Sequence, residues 1–531
     1  MNAPEPPVSQ AELTGTPLSH SLAANLADLQ TILGHPDDLV IREFLIANRF
    51  RAAFVGIDGL VDRDQVHAYV MRALMVEVVG TDLARQLTPA NVMTKLYESI
   101  ISVGEVSPPV RSLEEVTDAV LFGRLALLVE GHDRAFDIDL RGWEKRAIEE
   151  PPTESVIRGP REGFVEHLRT NTAQIRRRIK SPNLRFEAFT LGRITQTRVV
   201  LSYLKGTAND AIVEEARRRI SRIDLDGILE SGYVEEFIED SPFSPFPTLL
   251  ATERPDAVAA ALLEGRLAIF TEGTPFVLVA PALFPDFLSS PEDYYQKVQV
   301  VVLVRTIRTL AAFFTMTLPS IYVALTTYHQ EMLPTPLALS IAAGREGTPF
   351  PAIFEAFGMQ LIFEVLREAG TRLPRQLGQA VSIVGALVIG QAAVAAGLVS
   401  PLMVIIVALT GIGSFVIPHS AMVLALRILS FPMLLMAGLF GFAGITFFLL
   451  LLLAHLASQR SFGVPYLTPF APSVVPDLKD SFTRLHWWWM DTRPWYIAQR
   501  NLRRQGGRQK PRPPEKAQGG PRDPSMRREG Q

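Results

Sequence analysis

Five polar side chains lie within stretches of the second half of the chain that are otherwise apolar: Glu355, Gln360, Glu364, Gln391 and Arg427. Ionisable groups are costly inside a bilayer, so such residues are candidates for an ion path or for a polar contact between helices. Glu355 and Glu364 are nine positions apart, which places them on roughly opposite faces of one helix. Glu364 can pair with Arg367 or Arg372, whereas Glu355 has no partner nearby in the sequence and could face a water-filled path. Transport and a simple interhelical hydrogen bond remain alternatives for all five.

Catalytic chemistry has few candidate residues in this sequence. There is no cysteine, which excludes thiolate metal sites and cysteine nucleophiles, and the nine histidines form no H-x-x-x-H pair. No phosphate-binding loop, G-x-S-x-G motif or dinucleotide fingerprint occurs. The acidic stretch VEEFIEDSPFSPFP at 234–247 could bind a cation, although its spacing favours an exposed helix end and a proline-rich turn. We therefore expect no enzyme, cofactor or metal centre.

The apolar residues are unevenly placed along the 531 residues, which are enough for several domains. Residues 1–298 carry charges of both signs, whereas Leu, Ala, Val, Ile, Phe and Gly dominate the region that follows. A helix needs about 20 mainly apolar residues to cross a bilayer. The segments predicted to do so are Thr309–Tyr328 with a kink at Pro319, Val381–Val399, the shorter Leu402–Ile417, and Met433–Leu456. Residues 349–366 and 420–431 are ambiguous, because both are short and charged.

The orientation of these spans follows from their basic flanks, which favour the cytoplasm. Arg305 and Arg308 precede the first span, and the tail after residue 500 is rich in Lys and Arg. Both ends are therefore predicted to be cytoplasmic, which agrees with an N-terminus that does not resemble a signal peptide. An even number of crossings is required, from four to six. We favour six, because six place the basic residues 367–375 on the cytoplasmic side as well.

Small residues follow one face of the predicted helix 381–399 at spacings of 4, 4, 3 and 4: Ser382, Ala386, Gly390, Ala393 and Gly397. A similar set occurs in the last predicted span: Gly438, Gly441 and Gly444. Small residues let membrane helices approach closely, so both sets predict tight packing in a bundle or a homo-oligomer. The alternative is that glycine and alanine are simply common in membrane helices.

The front half of the chain looks duplicated. FGRLALLVEGHDRAFDI at 122–138 aligns with EGRLAIFTEGTPFVLVA at 264–280, and each has the pattern of a β-hairpin. A strand, a turn and an amphipathic helix precede each hairpin, although chance similarity is the alternative. The predicted fold is an α/β region of two related subdomains followed by an all-α transmembrane bundle. The predicted units are a flexible arm (1–36), a first subdomain (37–149), a strap (150–183), a second subdomain (184–298), a membrane region (299–457) and a basic tail (458–531), disordered after residue 500.

A basic helix end closes the strap between the two subdomains: Arg176, Arg177, Arg178 and Lys180. Cations suit the C-terminus of a helix, so these residues could simply belong to a solvated linker helix. The functional alternative is docking on anionic lipid head groups or on an acidic partner. Nucleic acid is not expected as a partner, because the run lacks interleaved aromatic residues.

Long blocks of this sequence resemble the GerA family, the A subunits of bacterial spore germinant receptors. The resemblance runs from about residue 40 to 472 and includes EPPTESVIRGPREGFVEHLRTNTAQIRRRIKSPNL, TPFPAIFEAF and SFGVPYLTPFAP. It implies a multi-pass protein of the inner spore membrane with a cytoplasmic front domain of two α/β subdomains. The sequence departs from the family at Gln360, where an acidic residue is expected.

The resemblance also implies partners and a mechanism. Family members act with a transporter-like B subunit, thought to bind the nutrient, and with a lipoprotein C subunit. The A subunit is thought to oligomerise and to form a nutrient-gated cation path, so that ion release commits the spore to germinate. The alternative is a membrane substrate carrier with a cytoplasmic regulatory domain, which would predict inverted repeats among the spans.

Overall fold

Two five-stranded antiparallel sheets organise the first half of the chain. The computed structural model describes residues 15–34, 36–100, 106–142, 150–151, 153–372, 388, 390–498, 501–507 and 509–511. The first sheet contains β1 (Leu39–Ile46), β2 (Phe50–Ile57), β3 (Val106–Val110), β4 (Leu125–Val129) and β5 (Ala135–Ile138). The second contains β6 (Leu184–Leu191), β7 (Thr197–Leu204), β8 (Leu250–Thr252), β9 (Leu267–Thr271) and β10 (Val277–Ala280). The strand orders are β1-β2-β4-β5-β3 and β6-β7-β9-β10-β8, which are equivalent.

This equivalence confirms the predicted pair of related subdomains. The β4–β5 hairpin and the β9–β10 hairpin are the two aligned sequences, and both are antiparallel. Gly123 and Gly265 precede the hairpins with φ of +83° and +95°, and Gly131 and Gly273 occupy the turns with +87° and +88°. Glycine adopts these left-handed values without the steric cost that a Cβ brings. The repeated glycines are therefore the turn chemistry of a repeated hairpin.

The helices packed on the two sheets differ more than the sheets do. The longer ones are α1 (Leu22–Leu33), α2 (Leu113–Leu121), α3 (Leu168–Arg178), α4 (Asp210–Ser221), α5 (Ser231–Ile238) and α6 (Pro255–Glu264). After β7 the second subdomain has the regular helix α4, which ends at Ser221. After β2 the first subdomain instead has short α, π and 3-10 turns between residues 63 and 100. The duplication therefore holds for the sheet and is looser in the helical layer.

The prediction of a loosely ordered arm over residues 1–36 is wrong for α1. The Ser21 hydroxyl caps this helix by accepting the Ala24 N–H at 3.4 Å, and Gly34 ends it with a left-handed φ of +74°. Leu22, Leu26, Leu29 and Leu33 are buried in the core of the first sheet. The spacing of these leucines is that of one helix face, so the sequence carried the signal. Residues 1–14 lie outside the described part of the chain.

The helices with printed bounds that follow the second sheet in the described residues are α7 (Val298–Thr327), α8 (Thr335–Arg345), α9 (Ala352–Arg372), α10 (Pro401–Val416), α11 (Ser420–Phe440) and α12 (Phe442–Ser458). By length and composition, α7 and α11 could cross a membrane, while α10 and α12 are shorter apolar helices. The predicted bounds of the last span, Met433–Leu456, are wrong. Gly441 has a φ of +61° and separates α11 from α12. Residues 381–387 and 389 of the predicted span Val381–Val399 lie outside the described residues, and its described part is helical at 390–395.

These helices alternate in direction relative to the sheets. We call the end of the helical region beside the sheets the near end and the opposite end the far end. At the far end, the Tyr328 hydroxyl at the close of α7 donates to the Gly438 carbonyl of α11 at 2.9 Å. At the near end, His419 before α11 contacts the Ser289 carbonyl at 3.1 Å, and Gln459 after α12 contacts Ser244. Thus α7 and α11 run away from the sheets, and α12 returns.

The other two long helices also return toward the sheets. Ser400, at the start of α10, lies beside Tyr322 in the far half of α7, with 3.3 Å between their hydroxyl oxygens. Ile353, at the start of α9, packs against Gly438 near the far end of α11. Further along the same helix, Glu364 reaches Arg427, only a few residues from the start of α11. Both α9 and α10 therefore run from the far end to the near end.

The segment after α12 is not a detached tail up to residue 498, as the predicted unit 458–531 implied. Phe462, Val464 and Ile497 are buried in the core of the second subdomain with residues of α4 and α5. Two short strands, β11 (Arg460–Ser461) and β12 (Val464–Pro465), form the first turn of this segment. The chain thus leaves the second subdomain through α7 and returns to it after α12. The basic residues beyond 511 lie outside the described part.

Candidate functional site in the helical region

Glu355 is enclosed at the far end, where its side chain has 0% exposure. One carboxylate oxygen accepts the Ser400 backbone N–H at 3.0 Å, and the other accepts from Arg345 and from the Thr348 hydroxyl, both at 3.3 Å. Ser400 is the N-cap of α10, so the carboxylate lies at the positive end of that helix dipole. We call Arg345, Thr348, Glu355 and Ser400 the far-end cluster. Its bonds fasten the start of α10 to α9.

The expectation that Glu355 has no partner nearby in the sequence, and could therefore face a water-filled path, is wrong. Arg345 ends α8, and the short connection from α8 to α9 brings its guanidinium back to a carboxylate ten positions further on. A search for charged partners one turn away on the same helix misses this pair, because the two residues belong to different helices. The arrangement gives Glu355 a structural contact rather than an open path.

Glu364 lies in the near half of the helical region and is paired with arginine. It accepts from Arg427 Nε at 2.7 Å and from Arg367 Nη2 at 3.3 Å, and Arg427 Nη2 makes a second close contact. One turn away, the Gln360 amide donates to the Ser430 hydroxyl. We call Gln360, Glu364, Arg367, Arg427 and Ser430 the mid-bundle cluster. It joins α9 to α11 within the apolar region.

A cavity of about 20 Å³ lies beside the mid-bundle cluster, which is room for about one water molecule. Thr315 Oγ1 and Gln360 Oε1 border it, and neither has a hydrogen-bond partner in the part of the chain that the structure describes. The cluster has two guanidinium groups and one carboxylate, so its net charge is positive. A positive site repels cations rather than attracting them.

Gln391 is the one candidate polar residue that the structure places on the surface. It is exposed and belongs to the helical residues 390–395. The structure thus divides the five candidates into three locations. Glu355 belongs to the far-end cluster, Gln360, Glu364 and Arg427 belong to the mid-bundle cluster, and Gln391 faces outward.

The small residues that the structure describes pack against helices of the same chain. Gly390 lies against Val404 of α10, and Gly438 lies against Ile353 of α9. Ala393 is packed in the core formed by α7, α9 and α10. Gly441 and Gly397 have left-handed φ values of +61° and +66°, so neither belongs to a continuous helix face as predicted.

One further glycine and two undescribed residues complete these sets. Gly444, in the first turn of α12, lies against Phe440 and Met436 of α11. Ser382 and Ala386 lie outside the described residues. The described members therefore allow close packing within the chain.

The near end carries an ionic cluster that the sequence analysis did not predict as a unit. Arg308 donates to both oxygens of Asp293 at 2.8 Å, and Arg305 donates to Asp293 at 3.0 Å and to Asp480 at 2.9 Å. The Tyr294 hydroxyl donates to Asp480 at 2.9 Å. Burial and the Asp480 carboxylate raise the pKa of Tyr294 well above its ordinary value. We call Asp293, Tyr294, Arg305, Arg308 and Asp480 the near-end cluster.

This cluster gives the arginines before the first predicted span a second role. Arg305 is 2% exposed, so it is not a free positive charge at a membrane surface. Asp480 comes from the segment after α12, which returns beside the start of α7. The sequence shows the two arginines, but only the fold shows their partners. These are Asp293, which precedes the helical region in the chain, and Asp480, which follows it.

The basic side chains at the end of α3 contact other residues of the same chain. Arg176 is 1% exposed and donates to the Asp38 carboxylate at 2.8 and 3.1 Å, so its predicted role in docking on lipid or a partner is wrong. Arg178 lies 2.6 Å and Arg177 3.8 Å from Glu162. Lys180 lies over the ring of Phe122 at 3.9 Å. The contacts of Arg176 and Lys180 fasten the end of α3 to the first subdomain, whereas those of Arg177 and Arg178 stay within the strap.

Comparisons with known proteins extend over nearly the whole chain. A family model described as Bacillus/Clostridium GerA spore germination protein matches residues 27–496. Spore germination protein KA of Bacillus subtilis (strain 168) is 44% identical over 498 residues, which are 93% of this chain and 90% of that protein. Spore germination protein GerLA of Bacillus cereus is 41% identical over 481 residues, which are 90% of this chain and 96% of that protein.

One solved structure is similar to the front half. It is the crystal structure of the N-terminal domain of the A subunit of the Bacillus megaterium spore germinant receptor GerK3. It is 38% identical, and the match covers 51% of this chain and 98% of that domain with a TM-score of 0.41.

The fold thus joins two antiparallel-sheet subdomains to helices of which two are long and apolar enough to cross a membrane. The chain belongs to the GerA family.

Proposed function

We propose that this chain is the A subunit of a spore germinant receptor and crosses the inner spore membrane six times. The observation that carries the proposal is the family match over residues 27–496. The alternating directions of α7, α9, α10, α11 and α12 support the number of crossings. The chain leaves α9 at the near end and enters α10 at the far end, so we assign the sixth crossing to the stretch between these two helices. This arrangement leaves the sheets and the C-terminal segment together on the cytoplasmic side.

The receptor function requires partners and an ion path. In this proposal the chain assembles with copies of itself, with a transporter-like B subunit that binds the nutrient, and with a lipoprotein C subunit. Nutrient binding then opens a path for cations, and their release starts germination. The positive mid-bundle cluster argues against a cation path through the interior of one chain. The path is therefore formed between copies, where outward residues such as Gln391 are available.

Ion flux from liposomes tests this function directly. The purified chain is reconstituted alone and together with the B and C subunits around an entrapped potassium-sensitive dye. We expect nutrient-dependent cation efflux only with the complete set of subunits. Accumulation of the nutrient inside the vesicles without cation efflux would instead support the carrier alternative and contradict the proposal.

A matched pair of variants tests the charge argument. In Glu364→Gln vesicles the mid-bundle cluster loses its only carboxylate, and we expect unchanged cation selectivity because the path lies elsewhere. Glu331→Gln, an exposed glutamate between α7 and α8, is the control for charge removal without a buried partner. A selective change in cation preference for Glu364→Gln alone would place the path inside the bundle.

A further inference from the structure

The first turns of α7 extend beyond the near ends of the other helices. Ala312 is buried in one cluster with Ile417 and Met422, which border the start of α11. Residues 298–308 precede this contact on α7 and are about 15 Å long, at 1.5 Å per residue. Carboxylates from the sheet side hold Arg305 and Arg308 in this projecting part. The projection thus lies on the water side of the hydrocarbon, if the chain crosses the bilayer as proposed.

The two faces of this projecting part of α7 differ in exposure. Val301, Arg305 and Arg308 are buried against the chain's own sheets and C-terminal segment. The opposite face is exposed and apolar, and it consists of Val300, Leu303, Ile307, Leu310 and Phe314. Leu303, for example, is 61% exposed. Lipid can cover Leu310 and Phe314, but the first three residues would face water.

The spacing of the exposed residues identifies what covers them. It is 3, 4, 3 and 4, the heptad spacing of a helix seam with Val300 and Ile307 at positions a and Leu303 and Leu310 at positions d. β-Branched residues at a with leucine at d favour parallel pairing of two helices. Copies of one protein inserted the same way in one bilayer are necessarily parallel. The flanking e and g positions from Gln299 to Phe313 are uncharged, so identical copies would not repel each other.

The geometry points to a parallel helix seam between α7 of one copy and α7 of a second copy, formed by Val300, Leu303, Ile307, Leu310 and Phe314. This inference rests on the proposed membrane arrangement and names the surface through which copies meet. It is also compatible with the described small residues, which pack against helices of the same chain. Each copy keeps Arg305 at position f, on the face turned away from the seam and bound to Asp293 and Asp480.

Cysteine cross-linking tests the seam cleanly, because the natural chain has no cysteine. Leu303→Cys and Val300→Cys are expressed in the full chain, and native membranes are treated with a mild oxidant. The matched control is Ile194→Cys, which is 78% exposed in the β6–β7 hairpin and far from the seam. Because a seam raises the local thiol concentration, we expect roughly tenfold more disulfide-linked dimer for the two α7 variants than for the control.

A second measurement decides between occupants. A water-soluble maleimide is applied to membranes opened on the cytoplasmic side, and we expect slow labelling of Cys at 303 and fast labelling of Cys at 194. Fast labelling at 303 with no dimer would show that the stripe is open to water and would overturn the seam. Slow labelling with no dimer, or a cross-linked product with a different polypeptide, would overturn it in favour of another occupant.

Alkaline carbonate extraction of the same membranes distinguishes a failure of this inference from a failure of the proposed function. If alkaline carbonate extracts the chain, the multi-pass arrangement fails whatever the cross-linking shows. If the chain is retained but neither α7 variant forms dimers, only the seam fails.

Discussion

The two ends of the helical region are fastened in different ways. At the near end, one buried carboxylate, Asp293, holds both Arg305 and Arg308, and Asp480 adds a second contact to Arg305. At the far end, one buried carboxylate, Glu355, holds Arg345 and the start of α10. The near-end carboxylates come from segments on the sheet side, whereas the far-end carboxylate belongs to a helix.

This difference predicts which parts of the molecule move together. The near end joins the second subdomain, α7 and the C-terminal segment into one unit, so movement of the sheets must carry α7 with it. The far end joins only helices and loops to one another. Arg345 keeps 20% exposure there, whereas Arg305 keeps 2%. Rearrangement is therefore easier at the far end than at the near end.

The largest effect is expected from Asp293→Asn at the near end. The variant leaves two guanidinium groups without their shared carboxylate, and breaking such a buried pair costs roughly 3–5 kcal/mol. We expect a large fall in the yield of folded protein and in the thermal midpoint of the detergent-solubilised chain.

Asp480→Asn is the comparison variant within the same cluster. Arg305 keeps Asp293 as a partner in this variant, so the loss should be clearly smaller. Equal effects of the two substitutions would mean that the cluster does not depend on Asp293, and the contrast between the two ends would be lost.

The next largest effect is expected from Glu355→Gln at the far end. The amide oxygen can still accept the Ser400 N–H, while the partly exposed Arg345 loses its ionic partner. A loss of about 1–3 kcal/mol is expected for a buried hydrogen-bonded charge treated in this way. Thermal unfolding in detergent measures it, with Glu331→Gln as an exposed control that should stay within about 0.5 kcal/mol. A loss as large as that of Asp293→Asn would make the two ends equivalent.

The sequence predicted some features of these regions and missed others. The duplicated hairpins showed the two sheets, because glycines at fixed distances impose the same turns. The polar residues Glu355, Glu364 and Arg427 were also visible, since charge stands out in apolar sequence. The pairing of Glu364 with Arg367 was predicted and is confirmed at 3.3 Å. The pairs Glu355–Arg345 and Glu364–Arg427 were not predicted, because each joins two different helices. The break at Gly441 was missed for a related reason, since an apolar run carries no sign of where a helix turns back.

A pH-dependent effect of intermediate size is expected at the near end. Burial lowers the pKa of His419 to about 4, while its ring contacts the Ser289 carbonyl at 3.1 Å. The unfolded chain takes up a proton near its ordinary pKa of 6.5 and the folded chain does not, so stability should fall as the pH drops from 6.5 toward 4. The slope is at most about 1.4 kcal/mol per pH unit.

Thermal midpoints of the wild-type chain and of His419→Gln at pH 7.5 and 5.5 check this slope. The glutamine variant should lose less stability on acidification, because it has no group that titrates in this range. An identical pH dependence of the two proteins would remove His419 from the contacts that fasten the near end.

The smallest effect is expected from Gln391→Leu, the candidate polar residue that faces outward. An exposed substitution without partners usually changes stability by less than about 0.5 kcal/mol, so the monomeric chain in detergent should unfold as the wild type does. In membranes the result separates two surfaces. If cation efflux from the reconstituted receptor falls while unfolding is unchanged, Gln391 lines a path between copies, as proposed. If efflux is also unchanged, that face meets only lipid, and the path must run along another surface.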